Sequence, residues 1–300
     1  MLFQYERLLS MKQFLSTAIA LTFLSVIPFA YAEDKDDEPK SSESMATYML
    51  KRLGEREAAA FESYQKAMAT EDVRSIEAEL QSIVDGYEKL IGAAKEYSPV
   101  YISFGMFLHR TGERKASNAM LMRADQLDPY HAIVKNQLGN YLAEEGKYDQ
   151  ALAFYQMAID LDANEPLYHY QTGNLLFEYK RFFIDDKLFL PDSFDLQMQE
   201  SFRTAALLAP THLPYRLRYA QSFFDVSRPN WEAGIEEWQQ LVEFPGDPTQ
   251  KQLMELYMAR ARFEAGHHTA ARKIIKGINR TELQKSKENL LAMINAKHPR

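Results

Sequence analysis

From residue 45 to residue 297 apolar side chains recur at steps of three and four, without alternating runs of Val, Ile and Thr. That periodicity predicts amphipathic helices and no strands. Small residues repeat at a longer, fixed distance. Gly105, Gly139 and Gly173 lie 34 residues apart, as do Gly112 and Gly146, and Ala124 and Ala158. Pro129 and Pro210 lie 81 apart and Ala158 and Ala205 lie 47 apart, so a single insertion of 13 residues brings both later markers into register. The period has a physical cause in two short antiparallel helices per unit. A small residue in the first helix lets the second approach closely, and a proline after the second stops it. One unit cannot bury its own apolar face, so the units must stack.

The best unit spans 132–165, with Leu138-Gly139, Leu142, the turn Gly146-Lys147-Tyr148, then Ala151, Tyr155 and Ala158; Ala163 stands where a proline would. Unit 98–131 has Phe104-Gly105, Leu108, Gly112, Leu121, Ala124 and Asp128-Pro129, with Ser117 for the first alanine. Unit 166–212 has Gly173, Leu176, Phe202, Ala205 and Pro210 around an expanded turn. These residues resemble the tetratricopeptide repeat family, whose pattern sets a Leu-Gly pair in the first helix against Ala, Phe and Ala in the second, with a closing proline. The resemblance implies an all-α fold, an α-solenoid of stacked antiparallel helix pairs in a right-handed superhelix. Looser units match at 213–247 (Ala220, Trp238, Leu241) and 248–280 (Ala259, Gly266, Ala271, Ile275). Residues 281–297 are expected to form a C-terminal capping helix, and 45–97 an N-terminal helical pair, either a degenerate repeat or a cap.

Residues 1–32 have the order of a secretory signal: Lys12, an uncharged apolar run to Phe29, then Ala30-Tyr31-Ala32. Met11, directly before Lys12, is the expected start of translation. The expected location is therefore the periplasm or the extracellular space. The alternative is an inner-membrane anchor at 14–29, because the run nearly matches a bilayer core of about 30 Å. Residues 33–44 carry charges, Ser and one Pro, and are expected to be a flexible acidic linker.

Composition removes several functions. The chain has 35 Lys and Arg against 42 Asp and Glu, a formal net charge of -7, which gives no general attraction for nucleic acid. Cysteine is absent, excluding disulfides, thiolate catalysis and Cys-ligated zinc. No nucleophile-elbow, zinc-protease, Walker or dinucleotide motif occurs. The seven histidines include no i, i+4 pair. The expectation is no catalytic residue, no metal and no cofactor.

The sharpest candidate chemistry is a repeated amide pair. Gln137-Leu138-Gly139-Asn140 and Gln171-Thr172-Gly173-Asn174 lie 34 apart. The resemblance implies that first helices line an inner, concave wall. Gln137, Asn140, Gln171 and Asn174 would then offer a ladder of donors and acceptors suited to an extended peptide backbone. Arg218 and Gln221 fall at the matching places of the next unit and Arg260 in the one after, where they would add charge for a carboxylate terminus. Inert polar lining, copied between related repeats, is the competing reading. A second candidate is the insertion at 181–194, with Phe182, Phe183, Phe189 and Phe194. Exposed, it would be a partner-docking patch; folded back, it would be a plug, and burial is favoured because bare apolar surface is unsafe in an exported monomer.

The sequence thus reads as a non-catalytic interaction scaffold or adaptor of the cell envelope, binding a protein or peptide in a concave groove. A self-assembling structural protein and an enzyme acting on cell-wall polymer are the alternatives; the latter needs converging acids or a His-centred pocket.

Overall fold

The computed structural model describes residues 42–67, 74–185, 188 and 190–297. The signal expected at 1–32 lies outside the described residues, as does 33–41 of the expected linker. Residues 42–44 are helical, not linker, because the first helix needs a turn ahead of its first buried residue, Ala46.

Among the described residues there are fourteen α-helices, one short 3₁₀ turn and no strand. The first pair is α1 (Ser42–Ala67) and α2 (Arg74–Ala93). Next come α3 (Ser98–Arg110) with α4 (Arg114–Leu127), and α5 (Ala132–Glu144) with α6 (Tyr148–Leu161). The third unit holds α7 (Pro166–Glu178), the short α8 (Lys180–Asp185) and α9 (Pro191–Leu208). Then follow α10 (Leu213–Ser222), α11 (Trp231–Val242), α12 (Pro248–Glu264) and α13 (His268–Gly277). A 3₁₀ turn at Thr281–Leu283 leads into α14 (Gln284–Lys297). Contacts run between helices close in sequence, and the core is a string of adjoining clusters, as a stacked array requires.

The repeated small residues act where two helices touch. A Cβ added at Gly139 would stand 2.6 Å from the Tyr155 ring. The equivalent glycines, Gly105 and Gly173, sit as tightly against Leu121 and Phe202. Ser117 replaces a small apolar residue without cost because its hydroxyl donates to the Gly105 carbonyl at 2.8 Å. The turn glycine is needed for a different reason. Gly146 has φ +75°, and the Lys147 N–H after it reaches back to the Leu142 carbonyl at 2.9 Å, closing α5.

The insertion is buried in part: Leu188 and Leu190 stay exposed, at 50% and 76%, while Phe183 and Phe194 pack inward. Phe183 and Phe194 are fully buried among Leu176, Met198 and Phe202, and Phe182 packs edge-on against Tyr148 at 5.2 Å. This corrects the docking-patch reading for Phe183 and Phe194, whose rings are removed from water as in the folded-back alternative; Phe182 is half-buried. Phe189 lies outside the described residues. Asp195 of α9 ties this unit to the next by accepting from Lys180 Nζ and from the Ser227 N–H at 2.6 Å. The N-terminal pair is tied on similarly, since buried Glu57 accepts from both the Tyr87 hydroxyl and Arg110.

Candidate functional site

Leu138 packs against α3 and α4 of the preceding unit and Gly139 against Tyr155 of its own, and Gln137 and Asn140 reach the cleft between the two units. Tyr155 donates its hydroxyl to Asn140 Oδ1 at 2.7 Å, and Asn140 Nδ2 donates to Gln137 Oε1 at 3.1 Å. Gln137, Asn140 and Glu144 line a cleft with His109, Arg114 and Asn118, of about 10 Å³. That is room for roughly one water. Arg114 pairs with Glu144 at 3.2 Å across it. Burial pushes the His109 imidazole below its ordinary value; Glu144 opposes that shift and Arg114 adds to it. Burial, with Glu178 and Glu144 nearby, keeps the Tyr155 hydroxyl protonated far above its ordinary range, so it stays a donor.

On α7 the Asn174 side chain shares a hydrogen bond with the Tyr170 hydroxyl. Gln171 Oε1 is a buried acceptor with no hydrogen-bond partner. Gln137 and Asn140 therefore bond within their own unit. The structure brings Gln137 and Asn140 together, and no hydrogen bond joins that pair to Gln171 or Asn174.

The arginines are placed differently from expectation. Arg218 is 5% exposed, stacks on Phe177 and Phe202 with its guanidinium carbon 4.1 and 4.0 Å from the ring centres, and donates to Asp225 at 3.0 Å. This corrects its reading as a carboxylate receptor, because its charge is matched inside the fold. Arg260 lies over the Phe224 ring at 4.4 Å. Gln221 is half-buried on α10.

Sequence reasoning alone does not single out four residues: Tyr155, Glu144, Glu178 and Asp225. Tyr155 was read only as packing, yet its hydroxyl fixes Asn140. Glu144 and Glu178 are 34 apart and Asp225 follows 47 later, so the same register places an acid at the end of α5, at the end of α7 and in the turn after α10, whereas α3 ends on Arg110. Burial raises the Glu178 carboxyl above its ordinary value, and Arg218 works against that. Among the described residues no group of three His, Asp or Glu is placed to hold a metal ion. No described helix is long and apolar enough to cross a membrane.

A family model described as TPR repeat matches residues 139–178. No curated protein matches the chain in sequence. The solved structure of YrrB, described as a TPR protein with an unusual peptide-binding site, aligns with a TM-score of 0.51 at 16% identity, covering 63% of this chain and 89% of YrrB. PilW, described as a type IV pilus biogenesis factor, aligns at 0.48 and 10% identity over 81% of this chain and 98% of its own. PilF of Pseudomonas aeruginosa aligns at 0.46 and 14% identity over 78% and 92%. The likeness to YrrB is one of fold.

Proposed function

This chain is a tetratricopeptide-repeat protein, and we propose that it is a non-catalytic scaffold whose first-helix wall holds an extended segment of a partner protein. The observation that carries this reading is the repeated polar face of α5 and α7, where Asn140 recurs as Asn174 and Gln137 as Gln171; Asn140, Gln171 and Asn174 are half-buried, and Gln137, 5% exposed, supports Asn140 from behind. Side-chain amides at regular intervals match the alternating donors and acceptors of an extended backbone. The peptide-binding site named for YrrB supports the same use of the fold. The apolar run ending at Phe29 and the Ala30-Tyr31-Ala32 that follows support export to the cell envelope. Rigid first helices, each locked by a close second helix, give the wall its preorganisation.

The test is binding of a partner captured by the full chain. Asn140→Ala combined with Asn174→Ala is expected to weaken it at least tenfold, since several amide hydrogen bonds are lost together. Circular dichroism should show unchanged helicity. Unchanged affinity in that double variant overturns the reading.

A further inference from the structure

The polar face extends one place further than the amides. Gln137, Asn140 and Glu144 on α5 have their counterparts in Gln171, Asn174 and Glu178 on α7. Arg218, Gln221 and Asp225 repeat the same steps at α10 and the turn behind it. Steps of three and four set each helical trio along one helix face.

The acid at the third place differs in its surroundings. Glu144 is paired with Arg114, and Asp225 with Arg218. Glu178 makes no hydrogen bond or ion pair among the described residues. It is nevertheless no ordinary surface carboxylate. It is solvent-accessible, yet its charge is felt at the Tyr155 and Tyr170 hydroxyls, and burial holds its own proton more tightly than usual. Among the described residues the cation acting on it is Arg218, which is already matched by Asp225.

Two turns earlier on α7, the Gln171 carbonyl oxygen also lacks a donor. It belongs to a half-buried side chain, so rotation of the amide can present it. Seven helical residues rise about 10 Å. That is the span of about three residues in an extended chain. A backbone N–H of a bound segment can thus meet Gln171 while a side chain three places along meets Glu178. The first requirement is a donor and the second a cation.

We propose that α7 forms a subsite for a basic side chain, a lysine or arginine of the bound segment, with Glu178 as its counter-ion and Gln171 as the neighbouring backbone acceptor. This rests on the groove reading above and gives its ligand a charge. It reverses the polarity expected from Arg218 and Arg260.

The experiment is selection from a library of short random-sequence peptides on the immobilised full chain, with parallel selections on Glu178→Gln, Glu236→Gln and the Asn140→Ala, Asn174→Ala double variant. Glu236 is an exposed acid of α11 and controls for net charge. On the unaltered chain, selected peptides should be enriched in Lys and Arg about threefold over the input, the effect of a partly exposed ion pair. Glu178→Gln should abolish that enrichment and Glu236→Gln should preserve it. Binders that depend on the asparagine pair but show no charge preference, or favour Asp and Glu, overturn the subsite and leave the groove standing. An enrichment that survives Glu178→Gln also overturns the subsite. Binders indifferent to the asparagine pair, or none at all, overturn the groove and the subsite together.

Discussion

The Tyr155 hydroxyl donates to Asn140 at 2.7 Å while its ring fills the space left by Gly139. One side chain therefore packs a helix pair and fixes a polar group of the candidate wall. Tyr155→Phe keeps the packing and removes the donor. Its expected cost is about 1 kcal/mol in chemical denaturation, the net worth of one hydrogen bond. A loss of Asn140-dependent binding should accompany it.

Glycines on this scaffold divide into two kinds, and alanine scanning should separate them. Gly139→Ala drives a methyl into the Tyr155 ring and should destabilise, since overpacking costs about 1–3 kcal/mol. Helix propensity returns no more than about 1 kcal/mol of that. Gly54, mid-helix in α1, is exposed and has nothing within 4 Å of an added Cβ. Gly54→Ala should stabilise by up to about 1 kcal/mol. Urea midpoints of both variants check the contrast.

Arg218 and Asp225 are a buried pair, 6% and 4% exposed in their side chains. Asp225→Ala should destabilise by about 3–5 kcal/mol because it strips the counter-ion from a buried guanidinium. The double variant Arg218→Met, Asp225→Ala should cost less than the two single effects summed, a coupling read from a double-mutant cycle.

Two carboxylates should respond to pH in opposite senses. Burial raises Asp195, but the Lys180 ammonium and the Ser227 donors outweigh it and hold its carboxyl below the ordinary 3.8. A depressed folded value gives stability that is present above 3.8 and is lost as pH falls through the folded value. Burial raises Glu178 above its ordinary 4.5, so its contribution is present below 4.5 and is lost as pH rises through the folded value. Glu178→Gln should therefore match the unaltered chain in acid and become the more stable protein toward neutral pH. Thermal melts across that range should show the gap widening with pH.

The helical array was legible because its cause is local. Gly105 and Gly139 each meet a large side chain of the following helix, and Gly173 meets Phe202 of α9 beyond the short α8, so spacing along the chain, corrected for the insertion, translates directly into contact. The amide pairs were legible for the same reason. Arg218 was misread because its charge is matched by Asp225 seven residues on and by rings of α7 and α9, partners that the register of one unit does not display. The insertion's apolar content favours burial, and Phe183 and Phe194 are buried because α8 and α9 close over α7, while Leu188 and Leu190 stay exposed. Glu178 was overlooked because its interest lies in a partner it lacks.

The central claim, that the first-helix wall holds the partner, is tested most directly by photo-crosslinking. A photoreactive residue would replace either Gln221, on first helix α10, or Met157, exposed on second helix α6. The account predicts a crosslink to the captured partner from position 221 and none from position 157. A crosslink from 157 without one from 221 would contradict it.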